Sequence, residues 1–274
     1  MSNKVNYEGN SYSKFRPTYS DRLYSLIYDF HQGKYDKALD VGTGTGQGAI
    51  ALSNRFKQVY GVDRLQEMIN NATPKDNVTY SVGSAEWLDF DDHSLDMITV
   101  ATAFHWFDHP SFFQQVKRVL KPGGTLAVWG YYLPIIKNHE AATQIIKRIF
   151  AMDGPIQTYS DPNIKYIINM YRDIPFPFST VDYYISPSSE DITGISKPCG
   201  SLMEKTMSLA DFGNFLKTAS SYVNYKKDHH GNIGPDPVDD AIENIADLLQ
   251  TTDKENTLID LEWACVLVLA RDDA

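Results

Sequence analysis

Cysteine is nearly absent from this sequence: Cys199 and Cys265 are the only two among 274 residues. Two isolated thiols build no disulfide framework, and no cluster has the spacing of a metal site, so no metal is expected. Long apolar runs are missing as well. No window reaches the roughly 18 apolar residues that a membrane span needs, and the opening stretch MSNKVNYEGNSYSK lacks the apolar centre of a secretory signal. Basic charge is in short supply, 25 Lys and Arg against 35 Asp and Glu, for a net charge of −10. Non-specific nucleic-acid affinity comes from Lys and Arg neutralising phosphates, so the balance disfavours a broad nucleic-acid face while leaving room for a local basic pocket. These absences set three expectations: a cytoplasmic location, no membrane partner and no nucleic-acid partner.

What is present centres on Ala38 to Gly48, ALDVGTGTGQG. A short apolar run ends in Asp40, glycines follow at every second position (Gly42, Gly44, Gly46), and a helical pattern begins at Gln47. Glycine lets backbone approach a ligand and takes positive φ where a turn needs it. The helix start that follows directs unpaired N–H groups toward whatever is bound. Downstream, Val59-Tyr60-Gly61-Val62-Asp63 repeats the theme of a strand with a carboxylate at its tip. An acid about 20 residues past a glycine turn is placed to accept hydrogen bonds from a ribose.

Two cofactors compete for this arrangement. The dinucleotide pattern G-x-G-x-x-G/A fits one frame, Gly44, Gly46 and Ala49, but leaves two extra residues before the first glycine and gives Asp40 no task. The other frame, acid-x-Gly-x-Gly-x-Gly from Asp40, sets a carboxylate against the loop, where a pyrophosphate is repelled and a cationic amino-acid end is welcome. S-adenosylmethionine offers that end, with a sulfonium and a ribose. Here the chain resembles the class I S-adenosylmethionine-dependent methyltransferases, specifically over about Asp36 to Gly130 and more thinly outside it.

Taken in order, Asp21 to Gln32 has helical spacing with Ser20 as N-cap candidate. Strands are expected at Tyr35–Val41, Val59–Val62, Val78–Val82, Asp96–Ala101, Thr125–Gly130, Thr180–Ile185 and Trp263–Ala270, the last antiparallel as in the family. Helices are expected at Gln47–Phe56, Leu65–Asn71, Ser111–Leu120, His139–Met152, Leu209–Tyr222 and Asp239–Gln250. Alternating strands and helices predict an α/β, doubly wound, Rossmann-like, mostly parallel sheet of seven strands. Asp40, Asp63, Ser84 and Ala101 then fall at the carboxyl ends of strands, where ligands sit in such sheets. The expected organisation is one methyltransferase domain over 1–274, with an N-terminal arm or lid at 1–20 and a helical cap inserted after strand five at 131–178.

The string Tyr12-Ser13-Lys14-Phe15-Arg16-Pro17-Thr18-Tyr19 looks like a segment that folds over the pocket in small-molecule methyltransferases similar to trans-aconitate methyltransferase. Ser208 to Tyr222 is similar to the fungal members of that group. The resemblance implies cofactor contacts from Asp40, Gly42, Thr43, Gly44, Gly46, Asp63, Arg64, Met68, Ser84, Ala85, Glu86, Ala101 and Thr102. It implies substrate contacts from Tyr12, Arg16, Tyr19, Trp106 and Tyr132. Trp87 reads as hydrophobic support.

Methyl transfer is an in-line displacement governed by alignment and exclusion of water. Whether a base is required depends on the acceptor. His105, after the fourth strand, is the histidine beside the expected pocket, and an ordinary pKa of about 6.5 suits it to act as base, as donor to substrate, or as a structural group. Arg16, Lys137, Arg148 and Arg172 are cations in the arm and cap that could pair with an anionic substrate. The expectation is O-methylation of a carboxylate on a small acidic metabolite. The alternatives are hydroxyl methylation with His105 as base, an NAD(P) oxidoreductase, and a cofactor-binding protein without turnover.

Overall fold

The computed structural model describes residues 19–151, 153–228 and 234–273. The described residues form two compact units: one contains those of 19–132, 165–202 and 265–273, the other those of 133–164 and 203–264.

The larger unit begins with α1 (Asp21–Phe30). The Ser20 hydroxyl caps it by accepting from the Leu23 N–H at 3.2 Å, and Leu23, Leu26, Ile27 and Phe30 form its buried stripe at helical spacing. The chain then alternates through β1 (Lys37–Val41), α2 (Gln47–Leu52), β2 (Gln58–Asp63), α3 (Gln66–Asn70), β3 (Val78–Val82) and β4 (Leu95–Ala101). A 3-10 turn, Phe104–Trp106, leads to α4 (His109–Val119), and β5 (Leu120–Ile136) follows directly. The Asp108 carboxylate caps α4 by accepting from the Ser111 N–H at 2.9 Å, and Pro110 sits in the first turn, where its missing N–H costs nothing. After α6 (Ile164–Ile168) and β6 (Thr180–Ser186), β8 (Leu258–Arg271) closes the path.

The strands run in the order β3-β2-β1-β4-β5-β8-β6. β1 pairs in parallel with β2 and β4, β2 with β3, and β4 with β5. β8 is antiparallel to β6, with Thr180 opposite Arg271 and Ser186 opposite Cys265. Every residue of β4 from Leu95 to Val100 is buried, as expected of a central strand covered on both faces. Removing the Ile98 side chain there by alanine substitution would cost about 2–5 kcal/mol.

In the smaller unit, α5 (Glu140–Ile149) packs against α9 (Pro237–Leu248), which Asp236 caps, and α7 (Leu209–Leu216) also packs on α9. An eighth strand, β7 (Glu204–Ser208), pairs antiparallel with the first residues of β8, Glu204 opposite Glu262 and Ser208 opposite Leu258, off the main path. The single helix expected over Leu209–Tyr222 is instead two, α7 and α8 (Ser220–Asp228), broken at Lys217–Ala219. No helix among the described residues is long and apolar enough to cross a membrane.

Candidate active site

The glycine loop is built by its own backbone. After β1, the Gly42 and Thr43 N–H groups both donate to the Val62 carbonyl, at 2.7 and 3.0 Å, which fastens the loop to the tip of β2. Gly42, Gly44 and Gly46 all have positive φ, 70°, 56° and 94°. Two of the three are confined by neighbours. A Cβ on Gly42 would lie 2.5 Å from the Ala103 Cβ, and one on Gly46 would lie 2.2 Å from the Tyr80 hydroxyl oxygen. Gly44 differs, since nothing lies within 4 Å of where its Cβ would be. The crown of the loop therefore borders open space, as backbone made to receive a ligand requires.

The two strand-tip acids divide the work. Asp63 is half-buried; its Oδ2 accepts from the Gly44 N–H at 2.9 Å and its Oδ1 from the Leu65 N–H at 2.9 Å. Each oxygen keeps lone pairs for a further donor. Asp40 is fully buried. Its Oδ2 accepts from the Thr43 hydroxyl at 2.6 Å and the Ala49 N–H at 3.1 Å, and its Oδ1 accepts from the Thr99 hydroxyl at 2.7 Å. Burial pushes the Asp40 carboxyl up to about 6, and the three donors pull in the opposite direction. Asp40 thus braces loop, helix and β4 from beneath the loop. A Cβ on Gly48 would lie 2.7 Å from the Asp40 Oδ2, so the helix start needs glycine there as well.

Past β3, the Ser84 hydroxyl donates to Glu86 and accepts from the Glu86 N–H, and the other Glu86 oxygen accepts from the Asp108 N–H at 3.1 Å. Ala85 is buried between them. Trp87 is a correction: it is 73% exposed rather than hydrophobic support, because the Ser84–Trp87 bridge turns it outward. Met68 is buried on α3, and Arg64 is exposed beside Asp63.

The tips of β4 and β5 are aromatic. Thr102, one residue past β4, has φ 54°, unusual for a β-branched residue. Its N–H donates to the Trp129 carbonyl at 2.7 Å and its hydroxyl lies 3.3 Å from that of Tyr19. Tyr19 stands edge-on to the Trp129 ring, centroids 5.3 Å apart. Ala101 pairs with Trp129 across the strands. Trp106 is half-buried with its ring against His105, and Tyr132 is half-buried, its phenol pushed up to about 12 by burial.

His105 is buried in the 3-10 turn, with Nδ1 3.4 Å from the Tyr171 hydroxyl. Burial first, and His109 second, lower its pKa to about 3. This corrects the expectation of an imidazole titrating near 6.5: at neutral pH the ring is uncharged and resists taking a proton. Among the cations, Arg172 donates to the Glu190 carbonyl at 2.7 Å and lies 3.7 Å from the Asp191 carboxylate, so its charge is answered internally. In the smaller unit Lys137 pairs with Glu204 at 2.5 Å, and Arg148 lines a groove of about 700 Å³ between α5 and α9. Tyr12 and Arg16 lie outside the described residues, as does most of the expected arm. No group of three or more metal-ligating side chains occurs among the described residues.

Several structural residues escaped sequence reasoning. Tyr80 on β3 lies across Gly61, whose Cβ would meet its ring at 2.6 Å, and reaches Gly46. Gly61 inside a strand was the available signal, since glycine there marks a close approach. Trp129 and Tyr171 carried no local signal.

A sheet ordered β3-β2-β1-β4-β5-β8-β6 with β8 antiparallel to β6, a glycine loop after its first strand and an acid at the tip of the second is the arrangement expected of a class I methyltransferase. The comparisons agree. The methyltransferase domain family matches residues 39–128. A methyltransferase of Dictyostelium discoideum is 34% identical over 265 residues, 96% of this chain and 92% of the relative. The Saccharomyces cerevisiae protein named "Probable S-adenosylmethionine-dependent methyltransferase CRG1" is 26% identical over 97% of this chain and 96% of its own. A solved methyltransferase from Anaeromyxobacter dehalogenans shares the fold with TM-score 0.76 at 24% identity, covering 94% of this chain and 99% of that one. The chain belongs to the S-adenosylmethionine-dependent methyltransferases.

Proposed function

We propose that this enzyme methylates a carboxylate oxygen of a small acidic metabolite. The observation that carries the reading is the state of His105: buried, and held near pKa 3. A hydroxyl acceptor must lose a proton as it attacks, and the buried, uncharged His105 imidazole resists taking it. A carboxyl group, with an ordinary pKa of about 4, is already ionised at neutral pH and needs no base. The likeness of Tyr12 to Tyr19 to trans-aconitate methyltransferase-like proteins supports the same acceptor class.

S-adenosylmethionine, when bound, supplies the electrophilic methyl group. The residues present fit it. Gly44 borders open space at the loop crown, Asp63 keeps lone pairs for ribose hydroxyls, and the Ser84–Glu86 turn forms the adenine edge. Asp40 and Asp63 set negative charge beside the loop, which suits a cationic amino-acid end and opposes a pyrophosphate. Tyr19, Trp106 and Tyr132 wall the acceptor side and exclude water. On this reading the cap at 131–178 and the arm at 1–20 shape the choice of acid within one methyltransferase domain.

The test is a methyl-transfer assay over a panel of small di- and tricarboxylates and neutral alcohols, with the product bond identified. Methyl esters formed at neutral pH are expected. Preference for alcohols, giving methyl ethers, would overturn the proposal.

A further inference from the structure

Two observations at the tips of β4 and β5 remain unused by the reading above. First, the Trp129 indole is fully buried, and among the described residues its Nε1–H has no hydrogen-bond partner. A buried unsatisfied donor costs about 1–3 kcal/mol, so such groups call for an explanation. The neighbours explain little. Tyr19 and Tyr24 stand edge-on to the indole, with ring centroids at 5.3 and 6.1 Å, and neither hydroxyl is bonded to Nε1. Second, Thr102, joined to Trp129 by the 2.7 Å backbone bond, is held at φ 54°. A threonine in the left-handed region is strained, and strain of this kind gathers at functional sites. Here it sets the Thr102 hydroxyl 3.3 Å from the Tyr19 hydroxyl, beside the buried indole.

We infer that Trp129 Nε1–H, with the Thr102 and Tyr19 hydroxyls, forms a neutral three-donor site for a carboxylate. Alternation along paired strands puts Ala101 and Trp129 on the same sheet face as Thr99 and Asp40. The site is therefore adjacent to the braced glycine loop and at the carboxyl ends of the strands. Neutral donors in a desolvated setting bind an anion strongly because water no longer competes. They also leave the bound oxygen nucleophilic, since no full positive charge is placed on it. A carboxylate seated beside these groups satisfies the orphaned donor. The inference rests on the carboxylate reading given above, although two molecules bring that chemistry: the acid acceptor and the amino-acid end of the cofactor.

The experiment uses the full chain labelled with ¹⁵N, with the Trp129 indole N–H resonance identified by its disappearance in Trp129→Phe. S-adenosylhomocysteine is titrated first, then trans-aconitate onto the saturated protein, with its trimethyl ester as an uncharged control. The indole proton is expected to move downfield with one of the two acids and to stay fixed with the ester. Trp129→Phe should weaken that same ligand about tenfold, the scale of one hydrogen bond to a charged group. Thr102→Val and Tyr19→Phe should each weaken it too. A resonance that ignores both titrations, with both affinities within twofold in Trp129→Phe, overturns the inference. Methyl transfer to trans-aconitate with a silent indole refutes this site and leaves the acceptor reading standing. An indole that reports S-adenosylhomocysteine in an enzyme that esterifies no acid refutes the acceptor reading and leaves the site standing.

Discussion

The tips of β1 and β2 and the tips of β4 and β5 are neighbours in one sheet, yet they solve different problems. Around β1 and β2 the acids and the loop amides are answered from within: Asp40 by Thr43, Thr99 and Ala49, Asp63 by Gly44 and Leu65, and the Gly42 and Thr43 N–H groups by Val62, with the Tyr80 hydroxyl the unpartnered exception among the described residues. That side is pre-organised for one ligand of fixed shape. Around β4 and β5 the walls are aromatic, an indole donor is unpartnered, and Thr102 is strained. Strain and unsatisfied donors are tolerated where a ligand relieves them. On the proposed reading, the first region holds the cofactor and the second the acceptor.

Substitutions within the glycine loop should produce the largest effects. Gly46→Val places a side chain against Tyr80 at a φ of 94°, and strain plus overpacking should cost about 2–6 kcal/mol in urea denaturation. Gly44→Ala, facing open space, should cost only about 1–2 kcal/mol for its φ. Equal costs would show that Tyr80 is not what demands glycine. Next in size, Asp63→Ala should weaken S-adenosylhomocysteine binding by about 1.5–3 kcal/mol in calorimetry, the scale of hydrogen bonds to a charged group. Unchanged affinity would remove Asp63 from the cofactor side. Across the sheet the sign should reverse: Thr102→Gly should raise stability by about 1 kcal/mol as the backbone relaxes, while turnover falls. Thermal denaturation and steady-state kinetics on the same samples decide it.

A further effect concerns pH. The Asp40 carboxyl is raised to about 6 in the fold from an ordinary 3.8. Its contribution to stability is therefore full below the ordinary carboxylate value and is lost as pH rises through about 6. Protonation also gives the Thr43, Thr99 and Ala49 donors a poorer acceptor, so cofactor affinity should fall as pH drops below about 6 even as this group favours folding. Asp40→Asn should abolish the stability slope between about pH 4 and 6. A slope that survives the substitution belongs to another group.

Much of this was legible in the sequence where signals are local. Ser20 before an apolar stripe, glycines between Asp40 and Gln47, and strands ending in Asp40 and Asp63 each depend on residues within a few positions of one another. The rest depends on distant partners. β7 was missed because EKTMS buries only its last two residues and acquires strand character by pairing with β8 some 50 residues on. His105 stayed open between base, donor and structural group because Tyr171, which faces its ring, is 66 positions away. Asp40's bracing role was likewise illegible, because nothing local reveals that Thr99, 59 positions on, takes one of its oxygens.

The central claim is methyl transfer without a general base, and the pH dependence of kcat tests it most directly. With S-adenosylmethionine saturating at every point and trans-aconitate as acceptor, kcat should be flat between about pH 6 and 9. His105→Asn, at a temperature where it remains folded, should keep kcat within several-fold and the same flat profile. A step in kcat near pH 6.5 in the wild type that vanishes together with turnover in His105→Asn would contradict the account and make His105 the base.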